Sequence, residues 1–301
     1  MGTEIVSPRY DEIDAWEPSD ILEALIEGQL AAVAAVRAAR RAIEGAALAT
    51  EARLREGGRL VYAGAGTSGR LAAQDGAELT PTFSWPQERV LVLLAGGEGA
   101  LMQAVEGAED RPEHGVGVVR QNRVSRADVL IALAASGTTP FTLACLREAK
   151  AGGALTIGVA NNQNTPLLTE ADHGIWLDTG AESIAGSTRM KAGTAQKVTL
   201  NLLSSLVMIR LGRVYGGLMV DLQASNKKLV RRSENMLMHL MGGSREEVRE
   251  ALARANGSVK LAALLLQGCT SAEAGAALEQ ADGQLREALR LVREPSVDGG
   301  E

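Results

Sequence analysis

Twice in this chain an apolar run of strand length stops at a short loop of glycine and hydroxyl residues and then turns helical. The first unit is Arg59-Leu60-Val61-Tyr62-Ala63 followed by Gly64-Ala65-Gly66-Thr67-Ser68-Gly69-Arg70. The second is Asp128-Val129-Leu130-Ile131-Ala132-Leu133 followed by Ala135-Ser136-Gly137-Thr138-Thr139-Pro140. Runs that are apolar at nearly every position read as strands buried on both faces. Strand, small-residue turn and helix start together make an anion site. Glycine lets the backbone approach a ligand, the first helical N–H groups have no internal partner, and Ser and Thr add hydroxyl donors. Two such loops in one sheet open on one cleft at the strand ends. The ligand this predicts is a phosphorylated, hydroxyl-rich small molecule, held by Gly66, Thr67, Ser68, Gly69, Ser136, Gly137, Thr138 and Thr139.

Around these units the pattern alternates. Strand-like runs lie near 59–63, 89–94, 128–133, 154–159 and 174–177, with helical stretches between most of them, which predicts an α/β fold with a parallel sheet flanked by helices. Residues 1–18 read as irregular. Ser19-Asp20 reads as a helix cap, an Ala-rich helical stretch covers 29–56, and a long helix over 188–212 starts at Ser187-Thr188. After about 225 only helical patterns remain, at 226–241, 244–254, 257–266 and 271–293. The expected organisation is an N-terminal helical segment (1–56) packing on the core, a sugar-phosphate domain (57–225), a small C-terminal helical region (226–294) and a disordered tail (295–301). Aromatic residues make up only 3% of the chain, so the core must be Ala, Leu and Val in close backbone packing.

Several function classes fall away. A net charge of −6 argues against a nucleic-acid surface. Cys145 and Cys269 lack metal-ligand spacing and read as core thiols, and no metal site is expected. Met1-Gly2-Thr3-Glu4 does not open a signal peptide and no apolar run approaches membrane-spanning length, so a cytoplasmic protein without membrane contact is expected. There is no G-x-S-x-G elbow, H-E-x-x-H or Walker loop. His114, His173 and His239 are scattered and form no triad. Gly64, Gly66 and Gly69 match the dinucleotide fingerprint G-x-G-x-x-G, but the next strand runs into Ala95-Gly96-Gly97 with Glu98 late for a ribose contact. A dinucleotide also leaves the second loop unexplained.

Three further segments carry charge worth placing. The helix from the first loop is expected to end near Pro81 and to hold Glu78 two turns in, about 10–12 Å along its axis. Glu106-Gly107-Ala108-Glu109-Asp110 reads as an acidic cluster closing a helix, where the helix dipole disfavours it. Two carboxylates in one cleft can divide acid and base roles. Glu182 to Lys197 gathers small residues, hydroxyls and the cations Arg189, Lys191 and Lys197 at the start of the long helix, with Ser187 and Lys191 as candidate ligands. Cations there are misplaced against the dipole unless an anion or carboxylate stands nearby.

At this point the residues resemble a known family. G-A-G-T-S-G-R at 64–70, A-V-E-G-A-E-D at 104–110, A-A-S-G at 134–137, G-S-T-R-M-K-A-G-T-A-Q-K at 186–197 and L-M-V-D-L-Q-A-S-N at 218–226 are similar to those of the N-acetylmuramic acid 6-phosphate etherases. These belong to the sugar isomerase (SIS) superfamily and are related to the glucokinase regulatory protein. The resemblance implies a three-layer α/β/α sandwich with a small C-terminal helical module, usually a homodimer. It implies a cofactor-free lyase of peptidoglycan recycling that releases D-lactate and N-acetylglucosamine 6-phosphate. The family's proton donor maps onto Glu78, its second active-site glutamate onto Glu109, and related isomerase domains carry a working acid near Glu182. The chain departs from the family pattern at Leu79-Thr80, at Gly217, at Val6-Ser7-Pro8, and at Thr138, where an arginine is usual. Two other readings share these features: a non-catalytic sugar-phosphate regulator, and an isomerase or paralogous lyase acting on another sugar.

Overall fold

The structure is a computed structural model that describes residues 2–222 and 227–293. The expected tail at 295–301 and the boundary at 225–226 lie outside the described residues. The chain divides into two compact units. One holds the residues up to Glu78 together with Pro86–Val207, and the other holds Leu79–Trp85 and the described residues from Met208 onward.

The first unit opens with three short 3-10 turns over residues 2–15, then α1 (Pro18–Ala38) and α2 (Arg40–Arg55). α1 starts at Pro18, which suits the first helical position because its missing N–H needs no partner there, so Ser19-Asp20 lies inside the helix rather than capping it. There follow β1 (Leu60–Gly64), α3 (Gly66–Phe83), β2 (Val90–Leu94), α4 (Pro112–Gln121), β3 (Val129–Leu133), α5 (Pro140–Ala151), β4 (Leu155–Ala160), α6 (Pro166–Glu170), β5 (His173–Trp176) and α7 (Lys191–Arg210). The five strands form one parallel sheet in the order β2-β1-β3-β4-β5. β1 and β3 are buried at every position, as their continuous apolar runs require.

Helices cover both faces of the sheet. Val61, Ala63, Leu130 and Ala132 pack with Phe141, Cys145, Leu146 and Ala149 of α5 and Val119 of α4. The alternate strand residues face the other layer. There the Tyr62 hydroxyl donates to Asp75 of α3 at 2.8 Å, and Asp75 also accepts from Asn201 (2.8 Å) and Ser204 (3.2 Å) of α7. Burial and the Asp75 carboxylate hold the Tyr62 phenol well above its ordinary pKa. At the N-terminal ends of β1 and β3, Asp128 accepts from Arg59 Nε (3.0 Å), Arg59 Nη2 (2.8 Å) and the Ser125 N–H (2.9 Å). That network pins both strand starts on the edge away from the loops.

The described part of the second unit is helical apart from one small hairpin, and it departs from the sequence reading in one helix. A miniature hairpin pairs β6 (Val214–Tyr215) with β7 (Leu218–Met219) about Gly216 and Gly217, strands too short to leave a periodic signal. After α8 (Lys227–Met241), α9 (Arg245–Arg254) and α10 (Val259–Leu265), the helix expected over 271–293 is two: α11 (Ser271–Gln280) and α12 (Leu285–Arg293). The break falls at Asp282 and Gly283, both with positive φ, which stops an α-helix. Ser244 with Glu247 and Thr270 with Glu273 form capping boxes at the starts of α9 and α11. Among the described residues no helix is long and apolar enough to cross a membrane.

Candidate functional site

The strand order reverses between β1 and β3: one chain path leaves β1 toward β2, the other leaves β3 toward β4. Open parallel sheets bind ligands at such a point, at the carboxyl ends of the strands. Gly64 of β1 is level with Leu133 of β3, so both hydroxyl loops leave the sheet side by side. The glycine spacing of the first loop serves close packing. A Cβ on Gly69 would stand 2.8 Å from the Gly64 carbonyl oxygen and 2.3 Å from Leu94 Cδ1, so only glycine lets the first turn of α3 lie on β1. In the second loop Gly137 has φ +71°, and a Cβ there would meet Thr165 Oγ1 at 2.1 Å.

A cavity of about 390 Å³ opens between the two loops. Its lining includes Gly66, Thr67 and Ser68 from the first loop and Ser136, Thr138 and Thr139 from the second, joined by Glu109, Asp110, Glu4 and Thr188. Within the second loop the Ser136 hydroxyl accepts from the Thr138 N–H and shares a hydrogen bond with Thr139 Oγ1, both at 3.2 Å. Among the described residues the lining holds three acids and no lysine or arginine. An anion there would be held by hydroxyls, backbone N–H groups and the start of α3 rather than by ion pairing. With Thr138 in the usual arginine position, the second loop supplies no cation.

Glu109 reaches the cavity differently from the sequence reading. The preceding helix is only a 3-10 turn, Glu98–Leu101, and the acids stand just before the start of α4. They therefore lie at the favourable end of a helix dipole, not the unfavourable one. The Glu109 carbonyl accepts the Phe141 N–H at 2.9 Å, tying this turn to the start of α5.

Six candidate residues are not in the lining: Gly69, Gly137, Glu78, Glu182, Ser187 and Lys191. The two glycines shape the loops. Glu78 is exposed on α3, and since the helix begins at Gly66 it lies about 18 Å along the axis, not 10–12 Å. Glu182 is 1% exposed and accepts the backbone N–H groups of Lys191 (3.0 Å) and Ala192 (2.9 Å). It is the carboxylate that compensates the cations at this helix start, and it caps α7 at Lys191, three residues later than Ser187-Thr188 predicted. The Lys191 stem packs on Gly28 and its ammonium lies 6.0 Å from the Tyr10 ring centroid. Cys145 is buried, which pushes its thiol up to about 12 and leaves no reactive thiolate, whereas Cys269 is only half-buried. Glu4, Asp110 and Thr188 escaped the sequence reading. Asp110 and Thr188 sat inside segments already singled out, but nothing local marks Glu4.

The fold and site define a class of protein, and comparison with known proteins gives the same one. The family model described as the SIS domain matches residues 118–206, and that of the glucokinase regulatory protein N-terminal SIS domain matches residues 43–150. Among solved structures, a phosphoheptose isomerase from Francisella tularensis is 19% identical with a TM-score of 0.48, covering 64% of this chain and 100% of its own. The N-acetylmuramic acid 6-phosphate etherase of Deinococcus radiodurans is 50% identical over 95% of this chain and 94% of its own. Those of Streptomyces avermitilis and Geobacillus thermodenitrificans are 45% and 42% identical, each over 96% of this chain and over 93% and 98% of their own. The chain belongs to the N-acetylmuramic acid 6-phosphate etherase family.

Proposed function

We propose that this protein is a carbon–oxygen lyase that cleaves the D-lactyl ether of N-acetylmuramic acid 6-phosphate, giving N-acetylglucosamine 6-phosphate and D-lactate in cell-wall amino-sugar recycling. What carries the reading is one cavity in which two hydroxyl loops and Glu109 meet, in a chain similar to etherases over 95% of its length. The phosphate sits on Thr67, Ser68, Ser136 and Thr139. The sugar then extends toward Glu109.

The chemistry needs a base and an acid and no redox change. In the ring-opened sugar the C1 aldehyde acidifies the C2 proton. One carboxylate takes that proton, the electron pair forms the C2–C3 double bond, and the C3–O bond breaks. Lactate leaves with a proton from the second acid. Water then adds at C3 of the unsaturated aldehyde. Glu109 is one of the two groups and Glu78 the other. A six-carbon sugar with its phosphate spans roughly 8–9 Å extended, so the Glu78 of the same chain is out of reach. A second copy supplies it in a homodimer. Two observations support that assembly: Leu22, Ile26, Leu30 and Val33 stand exposed in a stripe along α1, and Leu202 is 50% exposed on α7.

The test is incubation with N-acetylmuramic acid 6-phosphate and assay for D-lactate. Release of D-lactate with N-acetylglucosamine 6-phosphate is expected. Binding without release would turn the reading toward a regulator, and aldose–ketose interconversion without lactate toward an isomerase.

A further inference from the structure

The N-terminal segment belongs to neither strand–loop–helix unit, yet it reaches the cavity. Gly2–Glu4 forms one 3-10 turn whose Thr3 is 1% exposed. Three hydrogen bonds hold Thr3. Its N–H donates to Asn162 Oδ1 (3.4 Å), Asn162 Nδ2 donates to its hydroxyl (3.0 Å), and the Gly186 N–H donates to its carbonyl (3.2 Å). Asn162 is 5% exposed and also donates to the carbonyl of Ala135, in the second hydroxyl loop, at 2.9 Å. A buried clamp thus joins residue 3 to the segment after β4, to the second loop and to the segment before α7.

Glu4 is the next residue, and the clamp carries it to the cavity wall. Its carboxylate lies over Gly186, where a Cβ would stand 2.9 Å from Glu4 Oε2. Glycine at 186 leaves that place free. A carboxylate is a poor neighbour for a phosphate, since like charges a few ångströms apart repel strongly in a partly desolvated cavity. It is a good acceptor for neutral donors, and a sugar phosphate brings those away from its phosphate: hydroxyls and, in an N-acetyl sugar, one amide N–H.

We propose that Glu4 is a specificity-determining residue that accepts a hydrogen bond from a neutral O–H or N–H donor of the sugar, with Thr3 and Asn162 as the positioning residues that fix where that acceptor stands. The inference rests on the sugar-phosphate reading of the cavity. It makes the N-terminal turn part of the site and gives the third carboxylate of the lining a role in orienting the substrate.

The experiment measures binding of inorganic phosphate, glucose 6-phosphate and N-acetylglucosamine 6-phosphate to the full chain by calorimetry. The variants are Glu4→Ala, Glu4→Gln and Asn162→Ala, each checked for a native circular-dichroism spectrum. Glu4→Ala should weaken N-acetylglucosamine 6-phosphate about 10–100-fold while inorganic phosphate binds as well or more tightly, because a negative charge has gone. Glu4→Gln keeps an acceptor oxygen and should lose less. Asn162→Ala should follow Glu4→Ala on the sugar phosphate; because Asn162 also holds the Ala135 carbonyl of the second loop, the inorganic-phosphate control is read on Glu4→Ala. An equal loss on both sugars assigns the donor to a hydroxyl, and a loss only on the N-acetyl sugar assigns it to the amide. Unchanged sugar affinity in Glu4→Ala, or parallel loss of sugar and inorganic phosphate as a purely structural role would give, overturns the inference. Wild-type protein that binds these sugar phosphates but releases no D-lactate from N-acetylmuramic acid 6-phosphate overturns the etherase reading and leaves this one standing. Wild-type protein that binds none of them overturns both.

Discussion

Mixing two inactive variants should restore activity if Glu78 serves the site of a second subunit. α3 begins at Gly66, so Glu78 stands about 18 Å along the helix from its start in the first hydroxyl loop, about twice the span of the sugar. Glu78→Gln and Glu109→Gln each keep size and hydrogen bonding but remove proton transfer, and each alone should slow D-lactate release by about 10²–10⁴-fold. Equal amounts, unfolded together and refolded, pair at random in a two-fold dimer. About half the dimers are then mixed, and each mixed dimer has one site with both glutamates and one with neither. The expected activity is about a quarter of wild type per subunit, far above either parent variant. The assay is coupled D-lactate oxidation, before and after subunit exchange. A mixture no more active than its parents would refute cross-subunit completion. Activity of Glu78→Gln at the wild-type rate would remove Glu78 from the mechanism.

Three further outcomes follow from the packing. Glu182→Ala leaves the N–H groups of Lys191 and Ala192 buried without their acceptor, and should lower stability by about 2–3 kcal/mol in urea melts; Glu182→Gln, which keeps an acceptor oxygen, should recover part of that loss. Asp128 is held below the ordinary carboxylate pKa: burial opposes the charge, but hydrogen bonds from Arg59 and the Ser125 N–H, and the Arg59 charge, outweigh it. A depressed pKa contributes stability that is present above the unfolded value and lost as pH falls through the folded one. Asp128→Asn should therefore cost about 1.5–3 kcal/mol at pH 7, and the gap to wild type in urea midpoints should close as pH drops below about 4. Gly69→Ala forces a Cβ against the Gly64 carbonyl at 2.8 Å, a backbone atom that cannot swing aside. It should destabilise by about 1–3 kcal/mol and weaken inorganic phosphate binding, whereas Gly117→Ala, which meets nothing within 4 Å, should do neither.

The sequence by itself determined the elements and their kind. Each strand of the sheet falls within a residue of its expected run, and the signal is strongest in β1 and β3, where burial at every position selects a nearly continuous apolar run. The two loops were legible because glycine and hydroxyl residues between strand and helix are a local requirement of the backbone. The motifs shared with etherases carried the family. What the sequence left open was adjacency and register, which depend on contacts between distant residues. The order β2-β1-β3 brings the two loops to one cavity, and no periodicity encodes strand order. The start of α3 at Gly66 rather than later in the loop carried Glu78 a further turn and a half away. The acids at 109 and 110 look like a helix end in sequence because Ala and Val nearby mimic helical periodicity, yet the structure puts them before the start of α4. Glu182, a candidate through the resemblance to isomerase domains, accepts from the backbone of α7, since a helix start buried in the fold must find acceptors for its N–H groups. Glu4 is placed only by the Thr3–Asn162 clamp, 159 residues apart in sequence. A contact over that separation leaves no trace in local composition, so tertiary structure alone decided it.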